Sequence, residues 1–271
     1  MTERVAILGT GNMGEAVLAG AIGAGWSPGE ITATVRASEQ GRAHAAAIRE
    51  RHGVATTTEN VAAVRDADLV VVAVKPKDLP GVLDEIAPAL AAGAVVMSIA
   101  AGITTSAIET HLPAGTPVVR AMPNTPAQIG AGITAVAPGA TADAPHLSLV
   151  ERFLAGTGDV VRVAEKDLDA VTALSGAGPA YVFTVIDALA EAGVHVGLKR
   201  DIASRLAEQT VLGAARLAAE SGEHPAVLRE RVTSPAGTTA AGLRVLEDRA
   251  VRAAFLAAVE AARSRAVELG G

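Results

Sequence analysis

Gly9-Thr10-Gly11-Asn12-Met13-Gly14 is the first stretch whose residue types and spacing could do chemistry. It fits G-x-G-x-x-G, and its placement gives it meaning in a chain with 28 glycines. It follows the apolar run Val5–Leu8 and opens a segment with helical spacing. Gly9 permits the tight turn, Gly11 lets the backbone approach a pyrophosphate, and Gly14 lets a helix lie against the strand. The helix start, with Asn12 and Met13, offers unpaired N–H groups and partial positive charge to phosphates. An NAD site usually places an acidic residue roughly 20 residues further on, for the ribose 2′-hydroxyl. Here the chain reads Thr34-Val35-Arg36-Ala37-Ser38. Arg36 replaces the acid, and its hydrogen bond to a 2′-phosphate would contribute about 1.5–3 kcal/mol. The expected cofactor is NADPH, with NADH at lower preference.

Further segments outline a rim. Val74-Lys75-Pro76 ends the most apolar strand pattern, and Ser98-Ile99-Ala100-Ala101-Gly102 ends the next. Ligands in open α/β sheets bind at the carboxyl ends of strands. Asn60 falls in a short helix that Thr56, in a Thr56-x-x-Glu59 capping box, is expected to open. Each of these could equally be plain turn chemistry. Met122-Pro123-Asn124-Thr125-Pro126 reads as a rigid loop, and Leu174–Tyr181 as a small-residue turn. Thr233-Ser234-Pro235-Ala236-Gly237-Thr238-Thr239 is a hydroxyl- and glycine-rich turn that opens a helix. Its N–H groups and hydroxyls could hold a carboxylate, the plainer alternative being an ordinary capped turn. The six histidines show no metal-ligand spacing, so no metal site is expected. G-x-S-x-G is absent. Hydride transfer by a cofactor is the simplest chemistry left.

The elements that must position these residues alternate. Short apolar or β-branched runs at Val5–Leu8, Ile31–Val35, Leu69–Val74, Val95–Ile99, Val118–Met122, Ile133–Val136 and Val160–Val163 are separated by helical patterns. That alternation predicts βαβ units, a parallel twisted sheet and a Rossmann-type, doubly wound α/β domain over 1–164. From 165 to 271 only helices are expected, among them Gly178–Val194, which is apolar nearly all round. Such a helix is normally buried on every side. About 105 residues could hardly hide it alone, so partner subunits are expected to supply part of its cover.

Composition excludes several classes. The chain has 271 residues, a net charge of −6, 2% aromatics and no cysteine. Disulfide frameworks, thiolate nucleophiles and Cys-ligated zinc are ruled out. Negative charge and few aromatics argue against nucleic acid. Residues 86–108 and 121–142 carry no charged side chain but are broken by proline and glycine. They are expected to be strands and turns rather than membrane spans. A cytoplasmic protein without membrane or nucleic-acid partners is the expectation.

Taken together, the Gly9–Gly14 turn, Val74-Lys75-Pro76, Met122–Pro126, Leu174–Tyr181 and Val232–Thr239 resemble the pyrroline-5-carboxylate reductases over essentially the whole chain. The last two segments are specific to that family. The resemblance implies NADPH-dependent reduction of 1-pyrroline-5-carboxylate to L-proline, the last step of proline biosynthesis. It implies an all-α dimerisation domain, a homodimer, and dimers assembling into a decamer. By position, Ser38, Asn60, Ala73, Val74, Lys75, Ala100 and Ala101 would line the cofactor. Ser234, Gly237, Thr238 and Thr239 would hold the substrate, with Thr239 near the ring nitrogen as the catalytic candidate. Ala236 departs from the pattern, since many members have glycine there. Two alternatives remain on the residues alone. A β-hydroxyacid dehydrogenase has a similar layout but needs a lysine on the first interdomain helix, and Gly178–Val194 has none. A non-catalytic NADP sensor would not need the 233–239 turn.

Overall fold

Eight short strands and twelve helices account for most of residues 3–270, which are the residues described in the computed structural model. In chain order they are β1 (Val5–Leu8), α1 (Asn12–Gly23), β2 (Ile31–Thr34), α2 (Glu39–His52), β3 (Ala55–Thr57), α3 (Asn60–Val64), β4 (Leu69–Val72), α4 (Leu79–Ile86), β5 (Val95–Ser98), α5 (Thr105–Glu109), β6 (Val118–Met122), β7 (Gly132–Pro138), α6 (Ala144–Leu154) and β8 (Gly158–Arg162). The rest is helical: α7 (Leu168–Val171), α8 (Gly178–His195), α9 (Arg200–Ser221), α10 (Pro225–Arg231), α11 (Thr238–Asp248) and α12 (Val251–Gly270). The fold class is the expected one, a Rossmann-type sheet followed by helices.

The strands form one sheet in the order β3-β2-β1-β4-β5-β6-β7-β8. β1 lies between β2 and β4, parallel to both. The chain therefore winds outward on one side of β1, then crosses to the other. A crevice opens at such a switch point, beyond the carboxyl ends of the strands. Alternating side chains feed a core on each face. Val5, Ile7, Leu69 and Val71 join one core, and Ala6, Leu8, Val70 and Val72 the other. Both faces are covered by helices, as continuous apolar strands require.

Three features differ from the sequence-based reading. Thr56 lies in β3, paired with Ala33 of β2, and does not open a helix. The helix that holds Asn60 starts after Glu59 without a side-chain cap. The pairing of β3 with β2 outweighs the four-residue cap pattern Thr56–Glu59. β7 runs antiparallel to β6, whereas an all-parallel sheet was expected. The link 123–131 is too short for the crossover that a parallel partner needs. The expected strand Leu69–Val74 ends at Val72, so Ala73 and Val74 lie in the connection that leaves the sheet.

α1 is held closely. A Cβ on Gly14 would collide with the Gly9 carbonyl, and one on Gly156 with the Gly20 carbonyl. The helix thus meets backbone directly near its start and further along its length. Arg120 of β6 is 3% exposed and donates from Nη1 to Glu165 Oε1 at 3.0 Å. The same carboxylate oxygen accepts from the Thr105 amide at 3.0 Å, and Asp169 of α7 lies 3.8 Å from Arg120 Nη2.

By their contacts the described residues form two compact units. One ends at Ala177 and takes in the chain from Ala262 onward; the other is Gly178–Ala261. Within the second unit α8 packs along α9, and Gly193 lets the two approach closely at Ala203. Of α8 only Ala190 is buried, and Phe183 is 63% exposed. The apolar helix expected to be hidden is thus largely open in a single chain. Among the described residues one helical run, Glu165–His195, is long and apolar enough to cross a membrane. It is continued from α7 through a π-type turn at Thr172–Gly176. Residues 86–108 and 121–142 fold as strands, turns and short helices.

Candidate active site

A cleft of about 800 Å³ lies at the switch point, between the segments that leave β1, β2 and β4. Its floor is the glycine turn. Gly9 has φ +89°, a backbone that disfavours any side chain, and a Cβ there would sit 2.9 Å from Val74 Cγ1. The turn is tied to the end of β2. The Gly9 amide donates to Thr34 Oγ1 at 3.2 Å, and the Thr10 amide and hydroxyl both donate to the Thr34 carbonyl, at 3.1 and 3.0 Å. His44 of α2 makes a ring-nitrogen hydrogen bond with the Thr10 carbonyl. Gly11 caps α1 with no side-chain hydrogen bond, so the first-turn amides of Asn12, Met13 and Gly14 have no side-chain acceptor.

Gly11 tests whether a dinucleotide fits. A Cβ there would meet nothing in the chain within 4 Å, and its φ of −75° suits any residue. Neither packing nor backbone conformation calls for glycine, while a phosphate lying against the turn does. The charge agrees. Arg36, Lys75 and Lys77 line the cleft against one carboxylate, Asp78, in a chain whose net charge is −6. Ser38 Oγ accepts from the Gly41 amide at 3.0 Å as the N-cap of α2, which leaves its own proton to donate. Asn60 donates to Glu85 Oε2 at 3.0 Å, which leaves its carbonyl oxygen to accept. The residues present fit a dinucleotide.

Of the residues expected around the cofactor, the cleft brings together Gly9, Gly11, Arg36, Ser38, Asn60, Ala73, Val74 and Lys75. Asn12, Met13 and Gly14 belong to the first turn of α1 and are not among the residues that line the cleft. Pro76 starts the short turn after Lys75, and Ala100 and Ala101 follow β5; none of the three lines this cleft. Thr10, Thr34, Gln40, His44, Thr58, Lys77 and Asp78 line it without having been singled out in the sequence. Thr34 left a trace there, as a polar residue closing an otherwise buried strand.

The second group lies on the helical unit. Ser234-Pro235-Ala236-Gly237 closes a turn, with the Gly237 amide donating to the Ser234 carbonyl at 3.0 Å. Proline at the second position and a φ of +56° at Ala236 fit a type II turn. Alanine in that conformation costs roughly 1–2 kcal/mol. Gly237 lies so close to Ser234 that a Cβ would strike the hydroxyl, and it starts α11 with no side-chain cap. Thr238 and Thr239 therefore head α11 with amides that no side chain caps.

Relatives share this layout end to end. Residues 165–269 match the family model for pyrroline-5-carboxylate reductase dimerisation, and residues 4–102 the model "NADP oxidoreductase coenzyme F420-dependent". The pyrroline-5-carboxylate reductase of Corynebacterium melassecola is 45% identical over 98% of both chains. The chain belongs to the pyrroline-5-carboxylate reductase family. The reductase of Methanosarcina acetivorans is 40% identical over 99% of this chain and 98% of its own. Among solved structures, the family member from Coxiella burnetii superposes with a TM-score of 0.93 at 39% identity, with all of both chains covered. The Plasmodium falciparum pyrroline carboxylate reductase, solved with NADP bound, gives 0.86 at 28% identity over 99% and 98%. Family membership makes the protein a nicotinamide-dependent oxidoreductase.

Proposed function

We propose that this protein reduces 1-pyrroline-5-carboxylate to L-proline, the last step of proline biosynthesis, using NADPH in preference to NADH. One observation carries the proposal: full-length identity of 40–45% to reductases of that name, in a chain that keeps both the glycine turn and the 233–239 turn. The division of labour is a dinucleotide-binding domain over 1–164 and a helical dimerisation and substrate domain over 165–271.

The amides of Gly11 to Gly14 would hold the pyrophosphate, by the attraction of a helix N-terminus for anions. Arg36 and the Ser38 hydroxyl would hold the 2′-phosphate, and Asn60, Ala73–Pro76, Ala100 and Ala101 the remainder of the cofactor. A bound reduced nicotinamide supplies hydride. The substrate's protonated C=N carbon is already a good hydride acceptor, so no strong acid is required of the protein. The backbone amides of the 234–239 turn, with Ser234, Gly237 and Thr238, would anchor the carboxylate. The Thr239 hydroxyl would orient the ring nitrogen for hydride addition to the protonated imine. The helical part would join two chains in a homodimer, and dimers a decamer, in the cytoplasm.

Thr239→Ala tests the catalytic assignment. Substrate-dependent NADPH oxidation is expected to lose about 10²-fold or more in kcat/KM, while the Kd for NADPH stays at the wild-type value. Wild-type turnover in this variant would remove Thr239 from the role. Activity on a 3-hydroxyacid with NADP, in place of the cyclic imine, would overturn the substrate.

A further inference from the structure

Asp78 is the one carboxylate among the residues that line the cofactor cleft, beside Arg36, Lys75 and Lys77. It lies in helical backbone, in the turn Pro76–Asp78 that leads into α4, where an aspartate side chain can accept an amide hydrogen bond. It makes no such bond. Its Oδ2 instead meets Arg36 Nη2 at 3.4 Å, with the two side chains 40% and 76% exposed. A pair this open adds little to stability. A carboxylate in a first helical turn gains a modest attraction to the helix N-terminus, but that does not require it to face Arg36 in the cleft.

We propose that Asp78 sets how strongly the cleft distinguishes NADPH from NADH. This rests on the reading that Arg36 receives the 2′-phosphate. A phosphate monoester carries about −1.5 to −2 at neutral pH and is repelled by a neighbouring carboxylate. It must also draw Arg36 away from Asp78 before the guanidinium can bind it in full. With NADH the balance reverses. The free ribose 2′-hydroxyl can donate to a carboxylate, the role an acidic residue plays in NAD sites. Both effects act in one direction: Asp78 narrows the preference that Arg36 creates, and it tunes specificity without touching the hydride path.

Direct titration of both reduced cofactors, without substrate, tests this on wild type, Asp78→Asn, Arg36→Ala and the double variant. Asparagine matches aspartate in shape, and the lost charge makes no cap bond, so the thermal midpoint serves as the folding control. Asp78→Asn is expected to raise the NADPH-over-NADH affinity ratio about 3- to 10-fold. Arg36→Ala is expected to lower the ratio, and the gain from Asp78→Asn should shrink in its presence. A ratio that stays constant or falls in Asp78→Asn, with Arg36→Ala still lowered, overturns the proposal and leaves the cofactor reading standing. An unchanged ratio in Arg36→Ala removes Arg36 from the 2′-phosphate, and the proposal falls with it.

Discussion

Gly11 and Gly14 meet two different demands within one turn. Gly14 is packed against the chain itself, where a methyl group would strike the Gly9 carbonyl. Gly11 faces open space and has a backbone that alanine adopts freely. Gly14→Ala is therefore expected to destabilise the fold, by about 1–3 kcal/mol as overpacking does. Gly11→Ala should leave the free energy of unfolding in urea within about 0.5 kcal/mol of wild type. The same variant should weaken NADPH in a fluorescence titration, since its new methyl occupies the space where a phosphate would lie. Normal cofactor binding by Gly11→Ala would mean that the phosphates rest elsewhere. Legibility at this scale followed locality. The glycine turn and Arg36 announced themselves because their meaning depends on nearby residues, whereas Ser38 entered through the family resemblance. His44, Lys77 and Asp78 did not, because each reads as a solvated polar position until the fold brings it to the cleft.

At the scale of elements, Arg120 ties β6 to the segment that follows β8. Its partners Glu165 and Asp169 lie on that segment, and Glu165 also receives the Thr105 amide. Removing the buried Arg120 leaves two partly exposed carboxylates, Glu165 and Asp169, without their counter-charge. Arg120→Met is expected to cost about 3 kcal/mol in urea unfolding, and Arg120→Met with Glu165→Gln markedly less. Equal losses in the two would show that the pair contributes packing alone. A lone arginine within the apolar run Val118–Met122 was the signal for this pair, and it was not read. The alternation of strands and helices was legible because apolar spacing reports burial directly. The direction of β7 was not, because the pattern of an apolar strand is the same read either way. β3 escaped because three residues carry too little periodicity, and its stability comes from pairing with β2, distant along the chain.

At the scale of the whole molecule, the helical unit displays many large apolar side chains in a single chain. Phe183, Leu206, Leu212 and Leu256 are between 50% and 74% exposed. Apolar surface of that extent marks an interface, and its location within the dimerisation match agrees. Phe183→Asp is expected to raise the dimer dissociation constant by at least about 10-fold, since a buried phenylalanine contributes roughly 1.5–3 kcal/mol. Light scattering across a dilution series measures it, and an unaltered mass profile would place Phe183 outside the interface. The two grips on α1 have a consequence for redesign. A helix touching backbone at Gly9 and again at Gly156 has nowhere to slide, so it acts as the fixed datum against which a ligand is registered. Attempts to swap one nicotinamide for another should leave it untouched and vary Arg36 and Asp78 instead, which are open to solvent and can change without disturbing that datum.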